Sequence, residues 1–261
     1  MSHVPAADRT LEILLTLARS AGPVPAATIS RACGIPKSSL YHLLTIMELR
    51  GFVAPAGNAT WGLGASAFEV GSAYLRHEPL ERRARPLLVK SVHTLKKIGP
   101  VVGHVGILRG NDTLYLLKES SSSSITLVTD VGVRLPAGLT ASGRAMLAHL
   151  PDAQVRALFP RSTSFVDRTG RGPQSLSALR RLLRSERRIG FSLEEGFITP
   201  GYSSVASAVF DHLGQPIAAV GITFREESME ARYRAKLTEI VSEVVKDSAN
   251  MLTQGIGGRQ L

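Results

Sequence analysis

Residues 32–45 read ACGIPKSSLYHLLT, and the polar side chains in that stretch are spaced to act together. Wound at about 100° per residue, Ser38, His42 and Thr45 fall on one side of a helix. Leu40, Leu43, Leu44 and Met47 take the opposite side at i, i+3, i+4 and i+7 spacing. Ser39 and Tyr41 lie at the edges, Lys37 sits in the first turn, and Arg31 precedes them. Small hydroxyls and N-terminal amides approach phosphates closely. His42, Thr45 and Tyr41 could reach base edges in a major groove, and Lys37 and Arg31 suit phosphate contacts. The equipment is therefore for non-covalent reading of duplex DNA. The bland alternative is a three-helix subdomain with a polar outer face, and His42 alone decides nothing, since a surface histidine is usually only solvated.

The flanking elements strengthen the first reading. Leu11, Leu14, Leu15 and Ala18 predict a helix over Asp8–Ser20, ended by Gly22-Pro23. A short helix over Ala26–Cys33 stops at Gly34. The third runs from Pro36 or Lys37 to Arg50, with Gly51 as its C-terminal cap. Phe52–Pro55 and Thr60–Leu63 around Ala56-Gly57-Asn58 predict a β-hairpin, the wing. Trp61 reads as the wing's apolar anchor and Cys33 as a small apolar residue. A linker helix over Ala65–His77 ends at Pro79. The expected organisation is a winged helix-turn-helix at 1–64, a linker helix at 65–78, a larger domain at 79–255 and a frayed tail at 256–261.

That larger domain alternates helix and strand. Helices are expected over Leu80–Ile98, Ser142–His149, Asp152–Phe159, Gln174–Ile189 and Met229–Leu252. Strands are expected over Val101–Leu108, Thr113–Glu119, Ile125–Val131, Ser203–Phe210 and Pro216–Phe224, with a polar loop at Ser120–Ser124. Antiparallel strands with helices around them make an α+β fold.

The totals exclude several classes. No run of about 18 uncharged apolar residues exists to span a membrane. Met1–Thr10 lacks the apolar core of a secretory signal. One cysteine, Cys33, permits no internal disulfide, so a cytoplasmic location is the expectation. His93, His104, His149 and His212 show no metal-ligand spacing with cysteine or carboxylate. Ser142 lacks a nucleophile elbow, and no Walker or dinucleotide fingerprint occurs, so neither an enzyme nor a cofactor is expected. The net charge of +10 is unevenly spread: residues 1–78 hold six Lys/Arg and five Asp/Glu. The excess clusters at Arg82–Lys97 and Arg180–Arg188, where a solvated helix face is the simplest reading.

Ordered motifs give a further clue. They are Gly34-Ile35-Pro36-Lys37-Ser38-Ser39-Leu40-Tyr41-His42-Leu43-Leu44, with Arg9 before it, and Trp61-Gly62-Leu63-Gly64. Arg134-Leu135-Pro136 is followed by Thr140-Ala141-Ser142-Gly143-Arg144-Ala145-Met146-Leu147-Ala148. Last come Glu194-Glu195, Gly201 and Ser204-Val205-Ala206-Ser207-Ala208-Val209. In these the chain resembles the IclR family of bacterial transcriptional regulators over nearly its full length. The resemblance implies a winged-helix domain, a linker helix and a GAF-like effector-binding domain. It implies a homodimer or dimer of dimers on a palindromic operator in double-stranded DNA, most often as a repressor. It also implies an effector pocket of Leu135, Thr140, Ala141, Ser142, Glu194, Tyr202, Ser204, Gly221 and Thr223. The chain departs from the family at His42, where arginine is common, at Ser204, often cysteine, and at Ala208, often proline.

Those pocket residues also have a chemistry of their own. Thr140-Ala141-Ser142-Gly143 opens a helix whose amides favour an anion. Ser204 and Thr223 add hydroxyls, and Leu135 and Tyr202 apolar walls. A small organic or aromatic acid is the expected effector, with Glu194 as a carboxylate of the wrong sign unless protonated or paired. Thr140 and Ser142 as simple helix caps is the structural alternative, compatible with the first. At the level of function, the alternatives are an architectural DNA binder without a ligand and a metabolite-converting enzyme.

Overall fold

Where apolar residues recur every three or four positions between residues 5 and 49, the chain coils into three helices. The computed structural model describes residues 4–20, 22–77, 79–122, 127–226 and 231–260. The helices are α1 (Pro5–Ala18), α2 (Ala26–Ala32) and α3 (Lys37–Leu49). Ile13, Leu17, Ala26, Ile29, Leu40, Leu44 and Met47 meet in one core, joined by Ile35. α3 ends where Gly51 takes a φ of 71°. The Gly51 N–H donates to Glu48 O (2.8 Å) and the Phe52 N–H to Met47 O (2.9 Å), capping carbonyls the helix leaves open.

The wing is β2 (Val53–Pro55) and β3 (Thr60–Leu63), and β1 (Val24–Pro25) pairs with the far side of β3 in the order β1-β3-β2. Val24 stands opposite Trp61, and Trp61 packs on the helical core. β1 was not expected; two residues, one of them proline, carry no alternation to read. α4 (Ala65–His77) follows.

The chain divides into two compact units, Met1–Glu78 and Pro79–Leu261, so α4 groups with the first. The second unit is built on six antiparallel strands: β4 (Val101–Arg109), β5 (Asp112–Ser120), β6 (Arg134–Pro136), β7 (Ser192–Glu195), β8 (Tyr202–Phe210) and β9 (Pro216–Arg225). Their order is β6-β5-β4-β9-β8-β7. α5 (Pro79–Leu95) and α9 (Ala231–Gly255) cover one face through Leu88, Val105, Val220, Val241 and Leu252. On the other face lies α6 (Ala141–Leu147), packed on Ala206, Ala208 and Ala219. α7 (Asp152–Leu158) and α8 (Leu176–Ile189) pack outside it through Val155, Leu179 and Leu183.

Three expectations are corrected. Leu127–Val131 is not a strand (Ile125 and Thr126 lie outside the described residues); the third strand of this region is β6. The Asp130 carboxylate accepts from the Val131 N–H at 2.8 Å, Val133 N–H donates to Asp130 O at 3.0 Å, and Gly132 has a φ of 83°. That tight turn breaks the run of β-branched residues. Second, β7 exists but was not anticipated, because it turns polar Ser192 and Glu194 inward and reverses the usual pattern. Third, the tail through Gln260 is not frayed. Ile256 packs on the core, Gly258 N–H donates to Thr253 O at 2.7 Å and Arg259 N–H to Asp211 O at 3.0 Å. The expected start of the last helix at Met229 lies outside the described residues.

Candidate DNA-reading face and ligand pocket

α3 turns Leu40, Leu44 and Met47 inward and its polar side chains out, with Leu49 exposed at its end. Leu40 and Leu44 are fully buried and Met47 nearly so, with Leu43 half-buried. Lys37, Ser38, Tyr41, His42 and Thr45 are exposed, as is Arg31 on α2, and Ser39 is half-buried at the edge. Six of the seven sequence-predicted positions thus lie on α3, five of them exposed, and the seventh, Arg31, is exposed on α2. Thr45 Oγ1 donates back to Tyr41 O at 2.9 Å, which leaves its lone pairs facing outward as acceptors.

The second unit holds a pocket between the sheet and α6, part of it open to solvent. Leu135, Thr140, Ala141, Ser142, Glu194, Tyr202, Ser204, Gly221 and Thr223 all line it. They come from β6, the start of α6, β7, β8 and β9, and converge because β8 and β9 are neighbours and α6 lies across them. Ser204 pairs with Thr223 and Glu194 with Ser204 in register. Gly221 lets α6 sit close: a Cβ there would stand 2.9 Å from Ser142 Oγ.

Its polar groups form two chains. In one, Glu194 Oε1 accepts from the Phe197 and Ile198 N–H groups at 2.5 and 3.2 Å. Ser204 Oγ donates to Glu194 Oε2 at 3.0 Å and lies 2.9 Å from Thr223 Oγ1. Burial pushes the Glu194 carboxyl above the ordinary carboxylate range, although these donors and the Arg144 guanidinium oppose the shift. In the other chain, Thr140 Oγ1 caps α6 through Gly143 N–H (3.0 Å) and meets Thr113 Oγ1 at 2.8 Å. Burial first and then Glu194 push the pKa of the Tyr115 phenol up, and the Ser142 and Thr140 hydroxyls oppose that shift. Thr140 therefore does cap its helix, and the capping and lining roles coincide.

Sequence reasoning missed His104 and Tyr115, both on the cavity wall. Their rings stand 5.1 Å apart at 55°. His104 Nε2 lies 2.8 Å from Thr129 Oγ1, which holds the Leu127–Asp130 segment over the sheet. Burial, and then Lys118, push His104 down to about 3, so it is neutral at pH 7. His104 lies on a strand buried almost throughout and Tyr115 opens the buried run Tyr115–Leu117 of β5, so no alternation marked them.

Arg144 was also missed as a functional position. It is fully buried on α6, with Nε 3.0 and 3.2 Å from the Glu186 oxygens on α8. Its other nitrogens donate to Leu139 O at 2.8 Å and Leu193 O at 2.5 Å, and its guanidinium lies 5.0 Å from the Phe197 ring centre. Ser192 Oγ and Leu193 N–H donate to Glu186 as well. One ion pair thereby ties α6, α8, β7 and the loop before α6 around the cavity. Only its place in a family motif could have signalled this.

Two family descriptions match the chain: "IclR helix-turn-helix domain" over residues 6–56 and "Bacterial transcriptional regulator IclR C-terminal" over residues 72–250. The chain belongs to the IclR family. It is a DNA-binding transcriptional regulator, not an enzyme. It is 29% identical to the HTH-type transcriptional regulator BhcR of Paracoccus denitrificans over 98% of this chain and 88% of that protein. It is 26% identical to the transcriptional repressor IclR of Escherichia coli, covering 98% and 91%. Among solved structures, the IclR regulator from Alicyclobacillus acidocaldarius matches with a TM-score of 0.82 at 19% identity, covering 98% and 100%. An IclR homolog from Microbacterium hydrocarbonoxydans complexed with 4-hydroxybenzoate matches with a TM-score of 0.74 at 19% identity, covering 96% and 98%. At such identities these two structures speak to the fold alone. Among the described residues, no helix is long and apolar enough to cross a membrane, and no group of three His, Cys, Asp or Glu could hold a metal.

Proposed function

We propose that this IclR regulator is a repressor that reads a palindromic operator through α3 and releases it when a small organic acid enters the cavity. Arg31 and Lys37 contact phosphates, and Ser38, Ser39, Tyr41, His42 and Thr45 lie against the groove. The protein acts as a homodimer or dimer of dimers in the cytoplasm, so that two copies of α3 meet half-sites one turn, ~34–36 Å, apart. The observation that carries the ligand reading is the convergence of nine residues from five elements on one cavity.

An acid fits several of its features. Apolar Leu135 and Ile222 and the rings of Tyr115 and Tyr202 flank hydroxyls and amides. Glu194, pushed toward its neutral form by burial, can share a proton with a ligand carboxylate. The homolog complexed with 4-hydroxybenzoate shows that this fold can hold an aromatic acid. Ligand binding then takes up a proton, so affinity weakens as pH rises. A ligand shifts DNA affinity only by its differential affinity for two arrangements of the protein.

The test is a thermal-shift panel of aliphatic and aromatic acids on the wild type and on Ser142→Trp, followed by operator release. The indole should fill the cavity and abolish the shift while DNA binding persists. A panel that moves no transition in the wild type would favour an architectural binder. An identical response in the variant removes Ser142 from the site.

A further inference from the structure

The DNA-reading unit is nearly neutral, yet DNA affinity rests largely on neutralised phosphates. Of the chain's charge, residues 79–261 hold 25 Lys/Arg against 16 Asp/Glu. Much of that excess is organised on one helix. In α8, Arg180, Arg181, Arg184, Arg187 and Arg188 fall within about 120° of arc at 100° per residue. The opposite side carries buried Leu179, Leu183 and Glu186, and Glu186 is already paired with Arg144. Arg181, Arg184, Arg187 and Arg188 are exposed, as is Arg156 on neighbouring α7. Among the described residues, the ion pair on this face is Arg180 with Asp152, and Arg156 and Arg184 also act on that carboxylate. One carboxylate, Asp152, thus answers three guanidinium groups. Every cation here is arginine, whose planar fork grips phosphate in two places where lysine offers a point charge.

We propose that the arginine face of α8 is a second DNA-contacting surface, binding the phosphate backbone of duplex beyond the bases that α3 reads. The proposal rests on the protein being a DNA binder. Duplex DNA is the occupant because its phosphates complement an all-arginine face, and because the chain's excess of positive charge lies in residues 79–261 rather than in the unit that reads the operator. No base is read there, so the surface adds affinity and salt dependence without sequence preference.

The probe is a mixed-sequence duplex titrated with the full chain at several salt concentrations. The variants are Ser38→Glu, the triple variant Arg181→Gln/Arg184→Gln/Arg188→Gln, and their combination. The triple variant should lower the slope of log affinity against log salt by about 2.7, at ~0.9 for each phosphate no longer neutralised. S38E should keep salt-dependent binding to this probe, and the combination should lose it. Glutamine is a good helix former and these positions face solvent, so the melting temperature should hold. An unchanged slope and affinity in a folded triple variant overturns the proposal. A wild type that fails to bind this mixed-sequence duplex overturns the proposal as well, whereas unchanged operator affinity in S38E would instead overturn the reading of α3.

Discussion

In the N-terminal unit the side chains equipped for a ligand stand outside a closed leucine core, on a helix surface within a nearly neutral domain. In the C-terminal unit they point inward, onto a cavity enclosed by strands and α6, while the charge lies outside. The difference follows from the two ligands. A duplex is too large to enter a protein and must be met by a convex surface with short polar side chains. A small molecule gains affinity from being surrounded, at the cost of burying polar groups that must then satisfy one another. Hence Ser38 and His42 stand in solvent, whereas Glu194 is held by two backbone amides and a serine hydroxyl.

The contrast can be broken most forcefully inside the C-terminal unit. Arg144→Met leaves Glu186 charged, buried and without its cation, and should cost about 3–5 kcal/mol in the unfolding of that unit by urea. The paired change Arg144→Met/Glu186→Leu should recover much of the loss. If the single change proves as mild as a surface substitution, the buried pair does not organise the cavity. In the N-terminal unit an outward change should touch binding and leave stability alone. Ser38→Glu sets a carboxylate against phosphate and should weaken operator affinity about a hundredfold, ~2.7 kcal/mol, with an unaltered melting temperature. Retained affinity would refute the assignment of α3.

The smallest effect concerns pH. His104 sits near 3 in the folded chain against an ordinary 6.5. Between those values the unfolded chain binds a proton that the native one excludes, so stability falls as pH falls through that window. By pH 5 the loss should reach about 2 kcal/mol. His104→Gln, neutral throughout, should flatten the acid side of the C-terminal transition, whereas the N-terminal unit should be indifferent. An acid slope that persists in the glutamine variant would mean other groups cause it.

These sites differ in how far the chain's letters disclose them. The α3 face was legible at once, since helical periodicity separates Leu40 and Leu44 from Ser38 and Thr45 within a few residues. Gly51 marked the end of that helix for an equally local reason, its left-handed backbone. The nine pocket positions were legible only through ordered family motifs, because they are scattered from Leu135 to Thr223 and no local period links them. β7 was illegible because Glu194 faces inward to accept hydrogen bonds, inverting the polar-out rule.

Local chemistry was therefore enough to decide which helices form, which of their faces seek the core, and that an exposed hydroxyl-rich helix stands near the N-terminus. Those outcomes depend on contacts between near neighbours in the chain. Tertiary packing alone decided that His104 and Tyr115 join the cavity, that Arg144 is a buried clamp, and that the last residues are tied to the Asp211 turn. Each depends on partners tens of residues away, and the energy of a buried charge or ring is set by what encloses it, which no short stretch of sequence contains.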